Sequence, residues 1–286
     1  MPRIAYVNGR YLPHSAASVH IEDRGYQFAD GIYEVTPVYR GRIVNQTLHL
    51  DRLERSLREL RIAMPASRAG LVQIAHETMR RNHLTNGFVY IQITRGVAPR
   101  DHKFPKPPVR PSLVMTARQM KTASDAQVAQ GLKVVTLPDL RWPRRDIKSI
   151  SLLPNCLAKQ QAYEAGANEA WLYEGDGTIT EGSSTSAWIV TREGTVVTRN
   201  ADHLILNGVT RQALLKAARG AGIAIEERPF TRAEAAEARE AFLTSATNFV
   251  MPIVEIDGRP VGNGHPGLLT MRLRRLYLDE VVAGAA

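Results

Sequence analysis

The sequence predicts two turns of the chain back on itself before its first long helix. RIAYVNGRYLP alternates around Asn8-Gly9, a pair that accepts the positive φ angles of a two-residue hairpin turn. GIYEVTPVYRGRIV reads as a second hairpin, turning at Arg40-Gly41. The period then changes. Leu50, Leu53, Leu57 and Leu60 recur at helical spacing and predict a helix over about 48–61. A second helix is expected over 67–82, with Ser67 as its cap and Leu71, Ile74, Ala75 and Met79 inward. FVYIQITRG and SLVMTAR read as strands, separated by the long proline-rich loop APRDHKFPKPPVRP. Runs of strands kept apart from helices favour an α+β fold over a doubly wound sheet.

The 286 residues permit one large domain or two of ordinary size. The polar segment KTASDAQVAQG suggests two: a smaller α+β domain over 1–119, a linker over 120–129, and a larger domain over 130–286. In the second, LKVVTLP reads as a strand and LPNCLAKQQAYEAG as a helix ending at Gly166. NEAWLYEGDGTI and SAWIVTREGTVVTR read as hairpins, and GVTRQALLKAARGAG as a helix that begins after a glycine. IAIEERPF, EAFLTSA and IVEIDG are short strands, and 266–283 is a closing helix.

The totals exclude several classes. No apolar run reaches the roughly 18 residues of a membrane span, and the N-terminus lacks a signal peptide's apolar core. The single cysteine, Cys156, permits no intrachain disulfide, fits a reducing cytoplasm, and reads as a small packed residue on its helix. The formal charge of +9 raises nucleic-acid binding. RWPRR and RLRR are short, however, and no zinc-finger spacing or stacking motif accompanies them. Arg52, Arg55 and Arg58, interleaved with Glu54 and Glu59, read mainly as a solvated helix face.

Several residues invite a chemical reading beside a bland one. Lys148, in DIKSISLLPN, is either a stem lying on the core with its ammonium in water or a desolvated amine able to attack a carbonyl. Glu181, 33 positions on, precedes a glycine and small hydroxyl residues, where a surface turn is the ordinary reading. Asn207-Gly208-Val209-Thr210 opens a helix whose free amides and hydroxyl can hold an anion or simply form an N-cap. LTSATN supplies a second small-hydroxyl loop at a strand end. Arg95, at a strand end, reads as solvated.

Taken together, EDRGYQFADGIYEV, HLDRL, TRGVAPRDHKFP, DIKSISLLPNCLAKQ, EAWLYEGDGTITEGSSTSAWIV and LNGVTR resemble the fold type IV pyridoxal-phosphate enzymes, from YVNGRYLP nearly to the C-terminus. Among these the chain is most similar to D-amino-acid aminotransferases. The resemblance implies pyridoxal 5'-phosphate as cofactor and Lys148 as the lysine joined to it as a Schiff base and shuttling a proton. It implies Glu181 at the pyridine nitrogen, and Arg52, Val209 and Thr210 at the phosphate. Ser184, Ser245 and Thr247 are implied near the cofactor. Ala246 stands where some relatives carry a hydroxyl.

The resemblance also implies how substrate is chosen. Arg100 and His102 match an R-x-H trap for the substrate α-carboxylate, with Tyr33 as the third donor; guanidinium, imidazole and phenol suit a carboxylate. In the family the arginine and histidine reach in from the neighbouring subunit, which implies a homodimer with composite sites. The expected reaction is a ping-pong exchange between a D-amino acid and 2-oxoglutarate or pyruvate. Branched-chain L-aminotransferases, (R)-selective amine transaminases and aminodeoxychorismate lyases share the cofactor apparatus and remain alternatives.

Overall fold

A computed structural model describes residues 3–279. Two compact units divide the chain: Met1–Thr122 with Ile147–Ser151, and Ala123–Asp146 with Leu152–Ala286. Lys148 therefore lies on a short stretch that returns to the first unit.

The first unit contains β1 (Ile4–Val7), β2 (Arg10–Pro13), α1 (Arg24–Phe28), β3 (Gly31–Tyr39), β4 (Arg42–Ile43), α2 (Gln46–Glu59), α3 (Arg68–Arg81), β5 (Gly87–Thr94) and β6 (Ser112–Gln119). Its strands form one sheet in the order β2-β1-β6-β5-β3-β4, every described pairing antiparallel. The two hairpins turn where expected: Asn8 and Gly9 have φ of 46° and 98°, Arg40 and Gly41 of 49° and 77°. Ser67 caps α3 by accepting from the Gly70 amide.

Alternation places Ile32, Glu34, Thr36 and Val38 of β3 on one buried face, with Val89, Ile91 and Ile93 of β5. Leu50, Leu53 and Leu57 of α2 and Leu71, Ala75 and Met79 of α3 complete that core. Tyr33 and Tyr90 fall on the alternate positions and stack with their ring centres 5.8 Å apart.

The second unit contains α4 (Asp125–Gln130), β7 (Leu132–Pro138), α5 (Leu153–Glu164), β8 (Glu169–Tyr173), β9 (Ile179–Gly182), β10 (Ser186–Val190), β11 (Val196–Thr198), α6 (Val209–Gly220), β12 (Ile225–Glu227), α7 (Arg232–Glu237), β13 (Glu240–Ser245), β14 (Phe249–Ile256), β15 (Arg259–Pro260) and α8 (Leu268–Tyr277). The sheet runs β12-β11-β10-β13-β14-β7-β8-β9, with β15 beside β14. It is mixed: β7 pairs parallel with β8 and β14, and β11 with β12. Strands and helices thus assemble as α+β. The closing helix was expected over 266–283; the part beyond 279 lies outside the described residues.

Three expectations are corrected. Cys156 is exposed, because α5 buries the face of Ala158 and Ala162 and Cys156 points off it. Arg52 is not on a solvated face: its side chain is 9% exposed and pairs with the buried Glu34. Arg95 is buried as well, with both Asp30 oxygens and the carbonyls of Leu60 and Arg61 as acceptors. Each arginine meets a carboxylate distant in sequence, which local spacing does not reveal. No helix among the described residues is long and apolar enough to cross a membrane.

Leu53 is 1% exposed at the centre of the first core. Leu53→Ala is expected to cost about 2–5 kcal/mol, read as a lower urea midpoint for the first unit.

Candidate active site

Lys148 is held by backbone bonds on both sides. The Tyr33 amide donates to the Lys148 carbonyl (3.0 Å), and the Ile150 amide to the Gly31 carbonyl (3.1 Å). The Lys148 amide donates to Ser56 Oγ of α2 (3.3 Å). Ser149 bridges Ile32, and Ile147 packs in the first core. The apolar residues around the lysine are therefore an anchor. The half-buried side chain brings Nζ to 4.1 Å from the Tyr33 ring centre, a cation–π contact. A bulkier residue at Gly31 would collide: its Cβ would lie 2.7 Å from the Ile93 carbonyl.

Beside this stretch lies a buried polar cluster. Arg52 donates from Nε and Nη2 to Glu34 Oε1 and Oε2, at 2.8 and 2.9 Å. His49 Nδ1 is 2.8 Å from Glu34 Oε2. Burial opposes charge on Glu34, but the Arg52 charge and the Arg52 and His49 hydrogen bonds outweigh it and hold the carboxyl far below its ordinary range. Burial pushes the His49 imidazole down, against the pull of Glu34. The neutral ring then donates from Nδ1, and Nε2 remains a buried acceptor without a protein partner. Neither Glu34 nor His49 was singled out from the sequence. A signal was present: an acid at an inward position between Ile32 and Thr36 needs a buried partner.

The segment carrying Arg100 and His102 rests on α1. Arg24 donates from Nη1 to the Asp101 carbonyl (2.5 Å) and from Nη2 to the His102 carbonyl (3.5 Å). The Phe28 ring lies 4.7 Å from the Arg100 guanidinium carbon and 5.4 Å from the His102 ring.

In the second unit Glu181 belongs to β9 and is buried, so it is no surface turn residue. It accepts from Arg141 Nη1 at 2.6 Å and from the Leu206 amide at 3.2 Å. Burial pushes its carboxyl up, while Arg141 pulls it down. Arg141 also forks onto Asp139, whose side chain is buried and whose other donors include Thr180 Oγ1. RWPRR is thus a supporting element: the side chains of Arg141 and Arg145 are shielded from water, and Arg145 pairs with Glu174.

The Leu206 contact leads straight into α6. Gly208 is its N-cap and offers no side chain, so the first-turn amides have no capping partner from it. A Cβ on Gly208 would lie 2.8 Å from Ser186 Oγ. Val209 and Thr210 are buried at this end. Past β13, Ser245 Oγ lies 3.4 Å from Thr247 Oγ1 and accepts from the Asn248 amide. Ser184 Oγ donates to Glu169. Within the first unit, then, Tyr33 and Lys148 meet, Arg52 joins Glu34 and His49, and Arg100 and His102 share Phe28. Within the second, Glu181 is tied to the segment that opens α6.

The family model described as amino-transferase class IV matches residues 31–256. A D-alanine aminotransferase of Listeria monocytogenes serotype 4b is 39% identical over 278 residues, covering 96% of this chain and 95% of that protein. Among solved structures, the branched-chain amino acid aminotransferase of Escherichia coli aligns with a TM-score of 0.88 at 21% identity, over 98% of this chain and 95% of that one. A hypothetical aminotransferase of Mycobacterium tuberculosis in its PLP-bound form aligns with a TM-score of 0.84 at 20% identity, over 98% and 99%. These two likenesses concern the fold, which is that of the fold type IV enzymes. With most of its length matched by the family model and nearly all of it by a relative of that family, the chain belongs to the class IV aminotransferases.

Proposed function

We infer that this protein is a D-amino-acid transaminase that uses pyridoxal 5'-phosphate to exchange an amino group between a D-amino acid and a 2-oxo acid. The observation that carries the reading is the half-buried Lys148 amine, 4.1 Å from the Tyr33 ring on a stretch bonded to β3 and α2. The choice of D-amino acids is supported by the Arg100–His102 pair and by the relative named D-alanine aminotransferase.

The residues present fit the cofactor. An uncapped helix start suits a phosphate dianion, and a buried carboxylate suits a protonated ring nitrogen. His49 Nε2 is a buried acceptor without a protein partner. When bound, pyridoxal phosphate supplies an electron sink for the carbanion left at the substrate Cα.

Each residue then has a role. Lys148 Nζ would be the atom that holds the cofactor, and its free amine would carry the proton taken from the substrate Cα. Glu181, its oxygens fixed by Arg141 and the Leu206 amide, holds the proton at the ring nitrogen. In the second unit Val209 and Thr210 would hold the phosphate; in the first, Arg52, with its plane set by Glu34, would serve an anion in the same way. Ser184, Ser245 and Thr247 line the cofactor with short hydroxyls. Tyr33, Arg100 and His102 hold the substrate carboxylate. The protein acts as a homodimer in which Arg100 and His102 serve the partner subunit's amine, and its single cysteine fits a cytoplasmic setting.

Borohydride treatment of the holoprotein is expected to leave the cofactor mass on the Lys148 peptide. Lys148→Ala is expected to lower transamination by at least about 10²–10⁴-fold. D-alanine with 2-oxoglutarate or pyruvate should turn over. Turnover of branched-chain L-amino acids with none of D-alanine would refute the D-amino-acid reading, and pyruvate release without an amino acceptor would indicate a lyase.

Glu34→Gln unpairs two buried partners and is expected to cost about 3–5 kcal/mol at neutral pH. The Glu34 contribution is fully present above its ordinary pKa of 4.5 and is lost as pH falls towards the depressed folded value. The variant's stability should therefore fall less steeply than wild type below about pH 4.5, measured by urea denaturation across pH.

A further inference from the structure

The loop after β5 carries Arg100 and His102 but contains no helix or strand until β6 begins at Ser112. Proline-rich, exposed and basic, such a segment samples many conformations when left alone. A guanidinium that grips a carboxylate through two parallel bonds tolerates little misorientation. Something must hold the loop before substrate arrives, or the ordering cost falls on binding.

The helix α1 supplies that hold. Asp23 caps it by accepting from the Gly25 amide, and Ala29 ends it with φ of 54°. Its first residue, Arg24, is buried, with three acceptors for its fork: Asp30 Oδ2 at 2.8 Å and the Asp101 and His102 carbonyls. Its last, Phe28, presents one ring to Arg24 (4.8 Å), Arg100 (4.7 Å) and His102 (5.4 Å). Backbone bonds from Arg24 to the Gly96 carbonyl and from Ala98 to the Glu22 carbonyl fasten the loop base to the residues before α1. Gly96 permits this with φ of 108°, where an added Cβ would lie 2.1 Å from the Arg110 carbonyl.

The carboxylate of Asp30 is shared. Arg95 forks onto it at 2.7 and 3.0 Å and lies 3.5 Å from the Phe104 ring centre, further along the same loop. Two buried guanidiniums thus face one carboxylate. A lysine at position 24 could not span these three acceptors at once, because it lacks a planar fork.

We propose that Arg24 and Phe28 are positioning residues that preset Arg100 and His102 for the substrate carboxylate, and so determine affinity for both the amino acid and the oxo acid. The inference rests on the reading of Arg100 and His102 as the carboxylate trap. Neither positioning residue touches substrate; each acts through the loop. Both substrates carry the same α-carboxylate in ground and transition states, so a loosened trap weakens binding uniformly and raises KM with little change in kcat.

Steady-state kinetics of the holoenzyme with D-alanine and 2-oxoglutarate test this in Arg24→Met, Phe28→Leu, Arg100→Ala and Arg24→Met/Arg100→Ala, with cofactor absorbance and thermal midpoint as controls. Phe28 is half-buried and Leu keeps its apolar bulk, so Phe28→Leu serves if Arg24→Met fails to fold. Each single variant is expected to raise both KM values about tenfold or more, with kcat within about threefold. On the Arg100→Ala background, Arg24→Met should add less than about twofold, because it acts through the residue already removed. Unchanged KM in Arg24→Met and Phe28→Leu, a fall in their kcat alone, or full additivity in the double variant would overturn the inference while leaving the trap intact. Unchanged KM in Arg100→Ala would overturn the trap reading, and this inference with it.

Discussion

Three hydrogen bonds set the position of the Lys148 amine: Tyr33 to the Lys148 carbonyl, Ile150 to the Gly31 carbonyl, and the Lys148 amide to Ser56 Oγ. Together they make residues 147–151 an extra edge beside the start of β3, although both flanking stretches of chain belong to the other unit. A lysine stem has four rotatable bonds and loses much freedom on being ordered. Fixing its backbone on both sides and laying its amine against the Tyr33 ring leaves it little of that freedom. Gly31 is part of the same arrangement, since any side chain there would push into β5.

Buried charge follows one rule in both units. Asp30 is shared by Arg24 and Arg95, Glu34 by Arg52 and His49, and Arg141 is shared by Asp139 and Glu181. A lone ion pair out of water repays its desolvation poorly, whereas a group with every oxygen and every N–H engaged is held in one orientation. The benefit is geometric: Arg52, Glu181 and the loop bearing Arg100 are each fixed by a counter-charge from a different element. The formal +9 is therefore a poor guide to partners, because Arg24, Arg95, Arg145, Arg199, Arg211 and Arg274 are buried among acceptors.

Much of the fold could be read from residue patterns. The turns at Asn8-Gly9 and Arg40-Gly41, the leucine spacing of α2 and the Ser67 cap of α3 are local, and each came out as its residues suggest. The short helices α1, α4 and α7 were not read, since five or six residues carry too little periodicity. Lys148, Glu181 and Arg100 were picked out through a family resemblance; alone, Lys148 and Glu181 read first as surface residues. Their supporting residues escaped notice. Glu34 and His49 are separated by a hairpin, Arg141 and Glu181 by 40 positions, Arg24 and Asp101 by 77. Such distances leave no trace in local spacing, and only an acid at an inward strand position, as at Glu34, hints at a hidden partner.

Sequence alone established the α+β character and the chain's kinship with pyridoxal-phosphate transaminases, because periodicity, turn residues and short motifs are properties of contiguous residues. Folding in three dimensions settled which guanidiniums are buried, which carboxylates orient them, and that residues 147–151 return to β3. Those outcomes hang on contacts between distant segments, and the desolvation of a charge is defined only once every neighbour around it is in place.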